Sequence, residues 1–445
     1  MNLAMSLTLA GLCLSQAYAG SPLSTAAASR SIGDASTDAR PQNFQSTKRV
    51  SDQSISSAST LDNSILAPTT ASYQGGSSAG SYVTESYHYE PGCYASTCGG
   101  CNSSNVWFSS ETLLWFSKSP YSPTLVTTSD TGALPILGTG DTQSRFGGGD
   151  GIDFGLLPGS RISGGMYLGS AQKVAIGGRG YGIFSGSESF ARTSDGSGTA
   201  ANPSIGIPFF NAANNQDSAL AIALPGGGGN RSGSVHARTD LDMIGGDGSL
   251  YLLLSRSQGH RIDLLGGYTY NHLINSISLD TTSTLGAVNT ATHDLFETKN
   301  VFNGGHLGVL SSVVSNRVSL TTLAKVSFGN MRQSGSITGN NSETGAAAGF
   351  LTQPSNIGSF SRNTFAFLPE LGIKLGYSAR SNLQFTVGYT LLMWSGVGLA
   401  GDLIDTAVDP LQTVPVAYVG DRPEANFRES SFWMQGVDLG MTYSF

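Results

Sequence analysis

Charged side chains are scarce in this sequence, and many of them recur at alternate positions within stretches of β-strand character. Charged residues make up 12% of the 445 residues, against a usual share of ~25%. The alternation places one set on a shared polar face: Glu111, Arg161, Arg179, Arg238, Asp240, Asp242, Asp263, Lys325, Glu370, Lys374 and Asp438. Such a set, with both signs in near balance, could line a pore and select its solutes. It could also form ion pairs that fill a closed interior.

The histidines do not complete a catalytic pattern. His236 shares a strand face with Arg238, Asp240 and Asp242, an arrangement that a hydrolase or a metal site would also need. No nucleophile with a recognisable local signature accompanies it, so an ordinary polar strand face is the favoured interpretation. We therefore predict no catalytic residues, no metal site and no cofactor, and a protein that is not an enzyme.

The four cysteines all lie in the first 101 residues, where Cys93, Cys98 and Cys101 form a cluster. Three thiolates could hold part of a zinc site, but His88 is the sole nearby candidate for a fourth ligand and its spacing does not match. One disulfide with one free thiol is the favoured alternative. A disulfide framework for the remainder of the chain is excluded, because no cysteine follows Cys101.

The first 105 residues divide into two segments that precede the strands. Residues 1–19 carry an apolar run that ends in Ala17-Tyr18-Ala19, a pattern typical of a secretory signal peptide and its cleavage site. The run has about 12 apolar residues, too few for a membrane anchor helix. Residues 20–105 are rich in Ser, Thr and Ala without any period, which predicts a disordered linker. The strands occupy residues 106–445.

The final strand shows the alternation most clearly. One face holds Trp433, Gln435, Val437, Leu439, Met441, Tyr443 and Phe445, and the other holds Met434, Gly436, Asp438, Gly440, Thr442 and Ser444. The apolar face suits lipid and the polar face suits the inside of a barrel. Similar strands of about 10–15 residues recur, longer than the ~5–6 residues typical of soluble proteins. The sequence therefore predicts an all-β fold, an antiparallel transmembrane β-barrel.

The connections between strands support this architecture. The predicted strands are 106–117, 160–170, 173–185, 233–256, 260–280, 293–314, 317–333, 363–379, 382–396 and 429–445. Short turns alternate strictly with long connections, and 281–292 is among the long ones. This alternation is typical of outer-membrane barrels, with short turns on the periplasmic side. The count is ten strands, or twelve if the segment 233–256 holds two strands around Gly245-Gly246-Asp247-Gly248.

Aromatic residues near strand ends and on the apolar face predict a girdle at the membrane interfaces. Its members are Trp107, Trp115, Tyr268, Tyr389, Trp394, Trp433, Tyr443 and Phe445. The alternating end formed by Met441, Tyr443 and Phe445 is similar to the insertion signal of outer-membrane barrels. The expected partners are therefore outer-membrane lipid and the barrel-insertion machinery. The net charge of −7 argues against a nucleic-acid partner, and the oligomeric state stays open.

Four segments carry a family resemblance: Glu111 to Trp115, Leu264 to Tyr270, Phe296 to Gly305, and Phe432 to Phe445. Over roughly residues 105–445 the sequence resembles an outer-membrane beta-barrel porin family of planctomycete bacteria. The resemblance implies an outer-membrane barrel and carries no catalytic residues to transfer.

The functional expectation is an outer-membrane β-barrel with a polar, charged lumen, either a narrow diffusion channel or a structural barrel. Ten strands lie close to the eight that leave space only for side chains, which favours a filled or narrow interior. The alternative is an exported soluble or surface-attached β-protein used in adhesion or cell-wall interaction.

Overall fold

The computed structural model describes residues 105–342, 347–410 and 420–445, apart from the side chain of Ser185. Within these residues, stretches of alternating side chains form fifteen strands from Val106 onward. In chain order the strands are β1 (Val106–Ser117), β2 (Ser122–Ser129), β3 (Thr142–Gly148), β4 (Leu157–Leu168), β5 (Val174–Ser194), β6 (Ser204–Asn211), β7 (Gln216–Ala223), β8 (Ser232–Ser257), β9 (His260–Leu285), β10 (Val288–Ser315), β11 (Val318–Asn341), β12 (Gly358–Arg380), β13 (Leu383–Val397), β14 (Ala407–Val408) and β15 (Ser430–Ser444). A single 3₁₀ turn, Ala400–Leu403, stands among the described residues. The predicted signal peptide, the cysteine cluster and the predicted linker up to residue 104 lie outside the described residues.

Ten of these strands close into a ring of antiparallel neighbours. The order around the ring is β1, β15, β13, β12, β11, β10, β9, β8, β5 and β4. β1 closes it by pairing with β15 on one side and β4 on the other, so no strand edge is left open. Closure matters in lipid, where each unpaired backbone group costs several kcal/mol. The predicted antiparallel barrel of ten strands is confirmed, and twelve strands are excluded because β8 runs unbroken from Ser232 to Ser257.

The connections follow the predicted alternation with one exception. β9 and β10 are joined by a tight turn at Gly286 and Ala287, so the predicted long connection at 281–292 is wrong. The two strands simply continue to pair, with Leu285 opposite Val288. Gly286 adopts a φ of 61°, in the left-handed region that tight hairpin turns require. We use "upper" for the end of the barrel that carries the long connections.

The strands of the ring differ in length, and six of them, β5 and β8 to β12, extend far above β1, β4, β13 and β15. β8, β9, β10 and β11 have 26, 26, 28 and 24 residues, whereas a bilayer crossing needs about 9–11. Their lower parts carry exposed apolar side chains such as Leu264 and Leu307, at 41% and 54% exposure. Above this apolar belt the outward side chains become polar. The upper parts of these four strands therefore form a projecting wall outside the hydrocarbon layer.

The long connections fold into a second sheet inside the projecting wall. Its strand order is β14, β6, β2 and β3, with β7 paired to β6. Leu125, Ile205 and Ile207 of this sheet pack against Val235 and Phe296 of the wall in one buried apolar cluster, the upper core. A second cluster, the lower core, fills the ring beneath it with the side chains of Leu113, Trp115, Tyr181, Leu241, Met243, Leu273, Phe302, Met331, Leu368, Leu392, Trp394, Phe432 and Met434.

In the portion of the chain that the structure describes, no helix is long and apolar enough to span a bilayer.

Candidate functional site

Most of the charged side chains proposed for the polar face lie inside the ring, just below the lower core. The structure places eight of them there: Glu111, Arg161, Arg179, Asp263, Lys325, Glu370, Lys374 and Asp438. They are held by strands whose alternate residues reach the lipid side, so the same period that exposes Leu439 buries Asp438. Ion pairs organise seven of the eight, together with Asp247, into two clusters at one level, which we call the charged layer.

The first cluster is centred on Arg161 of β4. Its guanidinium lies 2.8 Å from Glu111 of β1 and 3.1 Å from Asp438 of β15. Lys374 of β12 pairs with the other oxygen of Glu111, and the indole of Trp115 donates a hydrogen bond of 2.9 Å to Asp438. The side chains of Arg161, Glu111 and Asp438 are at most 3% exposed. Two acids and two bases thus neutralise each other, and of the four only Lys374 is partly exposed, at 31%.

The second cluster joins Arg179, Asp247, Lys325 and Glu370. Asp247 accepts Arg179 at 2.6 Å and Lys325 at 2.8 Å. Lys325 lies 3.0 Å from Glu370, which also pairs with Arg179 through a second ion pair. This cluster also contains two acids and two bases, so the charged layer as a whole carries no formal net charge.

One of these pairs crosses the full width of the barrel. Glu370 belongs to β12 and Arg179 to β5, and these strands stand five places apart in a ring of ten. Lys325 and Asp247 join β11 to β8, three places apart. Paired side chains of the charged layer therefore bridge opposite walls of the ring.

Asp263 lies lower than the charged layer, near the short turns. Its carboxylate accepts Arg261 at 2.6 Å. The same guanidinium donates to the carbonyl oxygen of Gln172 at 3.1 Å and stacks 4.9 Å from the Tyr167 ring centre. This pair fastens a short turn to the barrel wall and does not join the two clusters.

Three of the predicted lumen residues lie on the other side of the wall. Arg238, Asp240 and Asp242 point outward, and the side chain of Arg238 is 47% exposed and pairs with Asp240 at 2.6 Å. The prediction for these three residues was wrong because it assumed that charged residues of a strand always lie on its inner face. That assumption holds only within the apolar belt. These residues belong to the projecting wall, where the outer face meets water and the inner face packs against the upper core.

Asp247 is an interior acid outside the predicted set, because placing Arg238, Asp240 and Asp242 on the inner face put the odd-numbered residues of the same strand on the outer face. Leu250, Leu252 and Leu254 are exposed on the outer face. Extending their alternation upward would have placed Asp247 on the inner face. His306 also lies inside the ring. It is buried between the hydroxyl groups of Ser249 and Thr269, at 2.9 Å from each.

The aromatic residues divide between the two faces. Tyr268, Tyr389, Tyr443 and Phe445 are exposed on the outside, as the girdle requires. Trp115 and Trp394 are only 1% exposed inside the lower core, and Trp107 lies against Tyr167 at a ring separation of 5.1 Å. These three are therefore not girdle residues, because their side chains lie on the inner face and their sequence neighbours point outward. The proposed insertion signal, Met441, Tyr443 and Phe445, lies outward throughout.

Two connections fold inward and close the ring from above. Asn300 exchanges two hydrogen bonds of 2.8 Å with the backbone of Gly398, and Asn275 accepts the backbone N–H of Ala400 at 2.9 Å. Asp294 accepts the backbone N–H groups of Leu351 and Thr352 at 3.0 and 2.8 Å. Side chains on the inner face of β9 and β10 thus hold the backbone of both connections. Among the described residues, no three His, Cys, Asp or Glu side chains are already gathered as a metal site.

A closed antiparallel ring with an apolar outer belt and paired charges inside defines the class of outer-membrane-type β-barrels. The chain belongs to the family described as Putative beta barrel porin-7, whose model matches residues 107–445. The resemblance to a beta-barrel porin family is thereby confirmed, and the bacterial group stays a prediction. A comparison with curated proteins gives no match.

Several solved outer-membrane barrels are similar to this chain. The outer membrane protease OmpT from Escherichia coli shares 11% identity, with 77% of this chain and 97% of that chain covered and a TM-score of 0.39. A FadL homologue from Pseudomonas aeruginosa shares 8% identity over 76% and 90%, with a TM-score of 0.22. The toluene transporter TodX from P. putida shares 9% over 77% and 90%, with a TM-score of 0.15. At these TM-scores the alignments carry no argument about activity or substrate.

Proposed function

We propose that the protein is a structural barrel of the cell outer membrane, closed along its axis, that holds a folded sheet above the membrane surface. One observation carries this proposal. The charged layer, the lower core and the upper core succeed one another up the barrel, and each is built from buried side chains that meet across the ring. A diffusion channel would need a continuous water-filled path instead.

The apolar belt supports a membrane location over the alternative of a soluble or surface-attached β-protein. Soluble monomers rarely expose apolar patches larger than a few hundred Å². Here large apolar side chains are exposed on neighbouring strands around the ring, among them Leu307, Leu371 and Leu439. Lipid is the partner that this surface fits, and the outward Phe445 and Tyr443 support recognition by the insertion machinery. Detergent dependence tests this step, because a soluble protein would stay monodisperse without detergent.

The interior chemistry supports a role without catalysis. The four acids of the charged layer are committed to ion pairs and their side chains are at most 4% exposed. Lys374 is the most exposed base of the layer and is paired with Glu111. A general acid or base must instead reach a substrate proton within hydrogen-bond distance. We therefore propose that the barrel is not an enzyme.

A narrow channel is the second candidate, since the family bears a porin description and paired charges inside a barrel could separate to admit ions. Conductance in planar bilayers distinguishes the two. A structural barrel is expected to give no steady current as wild type or as Glu370→Gln, with heat-modifiable migration on cold gels as proof of folding. Reproducible ion-selective steps in the wild type, altered by Glu370→Gln, would replace the structural barrel by the channel.

A further inference from the structure

A row of metal-ligand side chains crosses the outer face of the projecting wall. Strand register sets His236 of β8 directly opposite Asp280 of β9, and Asp280 directly opposite His293 of β10. All three point outward, with side chains 48%, 50% and 35% exposed. The register continues to Asn340 of β11, which is exposed beside His293. Imidazole, carboxylate, imidazole and amide groups therefore line up on four neighbouring strands.

The two imidazoles already turn toward the same carboxylate. His293 Nδ1 lies 2.7 Å from Asp280 Oδ1, and His236 Nδ1 lies 3.9 Å from Asp280 Oδ2. In a tetrahedral zinc site with bonds of 2.0–2.2 Å, neighbouring ligand atoms are roughly 3.3 Å apart. One separation is shorter than this and the other longer, each by about 0.6 Å. The groups do not yet enclose a common point, but small rotations of exposed side chains would bring them to ligand spacing.

The surroundings leave this row available for a cation. The nearest base along β8, Arg238, is already paired with Asp240 through its guanidinium. Ala191 of β5 and Asn340 of β11 flank the row, and neither carries a charge. Asp280 is six residues beyond Ile274, the last outward apolar residue of β9, or about 20 Å along the strand. The row therefore faces water rather than lipid.

We propose that His236, Asp280 and His293 bind a divalent transition-metal ion, with Zn²⁺ as the best-matched class. Two imidazoles and one carboxylate form a ligand set that zinc accepts, and the fourth position is open to water or to the amide oxygen of Asn340. Bound metal would cross-link β8, β9 and β10 on their outer face. The site was not foreseen from the sequence because its members are 44 and 13 residues apart and meet only through strand register.

Calorimetric titration of the detergent-solubilised protein with ZnCl₂ tests the proposal. The protein should lack a polyhistidine tag and carry Cys93→Ser, Cys98→Ser and Cys101→Ser, so that thiolates cannot bind the ion. We expect one zinc ion per chain, and at least a tenfold loss of affinity in His236→Ala, in His293→Ala and in Asp280→Ala. His272→Ala is the matched control, because His272 lies outward on β9 away from the row, and its affinity should equal that of the parent.

Two results would overturn the proposal: no zinc binding by the cysteine-free parent, or binding that His236→Ala and His293→Ala leave unchanged. The substituted side chains are exposed, so all variants should keep the heat-modifiable band of the folded barrel. Binding should also weaken as the pH is lowered from 7 to 5, because metal competes with protons for imidazole nitrogen. A pH-independent affinity would likewise contradict the assignment to histidine.

Discussion

The same side chain has different consequences on the two sides of this barrel wall. Arg161 is buried and holds two carboxylates, whereas Arg238 is half-exposed and pairs with one acid on the outer face. Removing one partner of a buried ion pair leaves an uncompensated charge, which costs about 3–5 kcal/mol. Exposed pairs contribute about 0–1 kcal/mol. Burial rather than pairing therefore decides which arginine matters for stability.

Arg161→Met is expected to lower the free energy of unfolding by about 3–5 kcal/mol, because Glu111 and Asp438 lose their shared cation. Arg238→Met makes the same chemical change on the outer face and should cost about 1 kcal/mol or less. Urea unfolding in detergent, followed by tryptophan fluorescence, measures both. Equal losses in the two variants would contradict the placement of one arginine inside the ring and the other outside.

The charges inside the ring were predictable where an apolar alternation framed them. Lys374 and Asp438 stand between outward residues such as Leu375 and Leu439. The period of two in a strand then places both charged side chains on the inner face of the barrel. Arg238 could not be placed in this way, because the outer face of the projecting wall is polar and its inner face is apolar. The rule that charge marks the interior reverses at the edge of the membrane.

At the scale of the strand, packing between neighbours limits which positions accept a side chain. A methyl group on Gly267 of β9 would overlap the carbonyl oxygen of Gly248 on β8 and would stand 2.9 Å from the ring of His306. A methyl group on Gly248 itself would meet nothing within 4 Å. Two glycines on paired strands thus differ sharply in what they tolerate.

Gly267→Ala should destabilise the barrel by about 1–3 kcal/mol, the usual cost of overpacking, because backbone atoms must move. Gly248→Ala should change stability by about 0.5 kcal/mol or less, as expected for open surface positions. The midpoint of the heat-modifiable band shift on gels provides the comparison. A larger loss for Gly248→Ala than for Gly267→Ala would refute the packing described for β8 and β9.

The last strand allows a separate test of insertion. Phe445 is 68% exposed and its ring lies 4.7 Å from that of Tyr443, while Ser444 belongs to the inner face. Deleting Phe445 should reduce the amount of barrel in the outer membrane without reducing export, because the outward aromatic end is the proposed insertion signal. Ser444→Ala should do little. Immunoblots of membrane fractions decide, and equal yields of both variants would argue against the signal.

The ring strands were predictable to within a few residues at most ends, because a period of two persists through each crossing. The inner sheet was not. β2, β3, β6, β7 and β14 have two to eight residues each and lie within connections. β2 with β3 and β6 with β7 are local pairs, but the pairings that assemble the sheet, β2 with β6 and β6 with β14, join segments far apart in the sequence. Pairing of that kind depends on the completed upper core rather than on any local pattern.

For the whole molecule, every described strand lies downstream of residue 105, and the two cores are formed by residues of those strands and their connections. A variant that begins at about Ser103 behind a replacement signal peptide should therefore still fold, because it keeps every residue described in the two cores. The readout is a heat-modifiable band of the same relative shift as the parent. Loss of that band would mean that the preceding segment or its cysteines take part in folding.

The unequal strand lengths give the barrel a weaker side, made of the short strands β1, β4, β13 and β15, and the pair that closes the ring lies on that side. β1 and β15, which meet to close the ring, have 12 and 15 residues, whereas β9 and β10 have 26 and 28. Opening a strand pair requires breaking its ladder, so the shorter ladder yields at lower free energy. Amide protons of β1 and β15 should exchange with solvent deuterium before those of β9 and β10. Under mechanical tension applied at Phe445, the short strands would accordingly separate first, and the long strands joined by the hairpin at Gly286 would separate last.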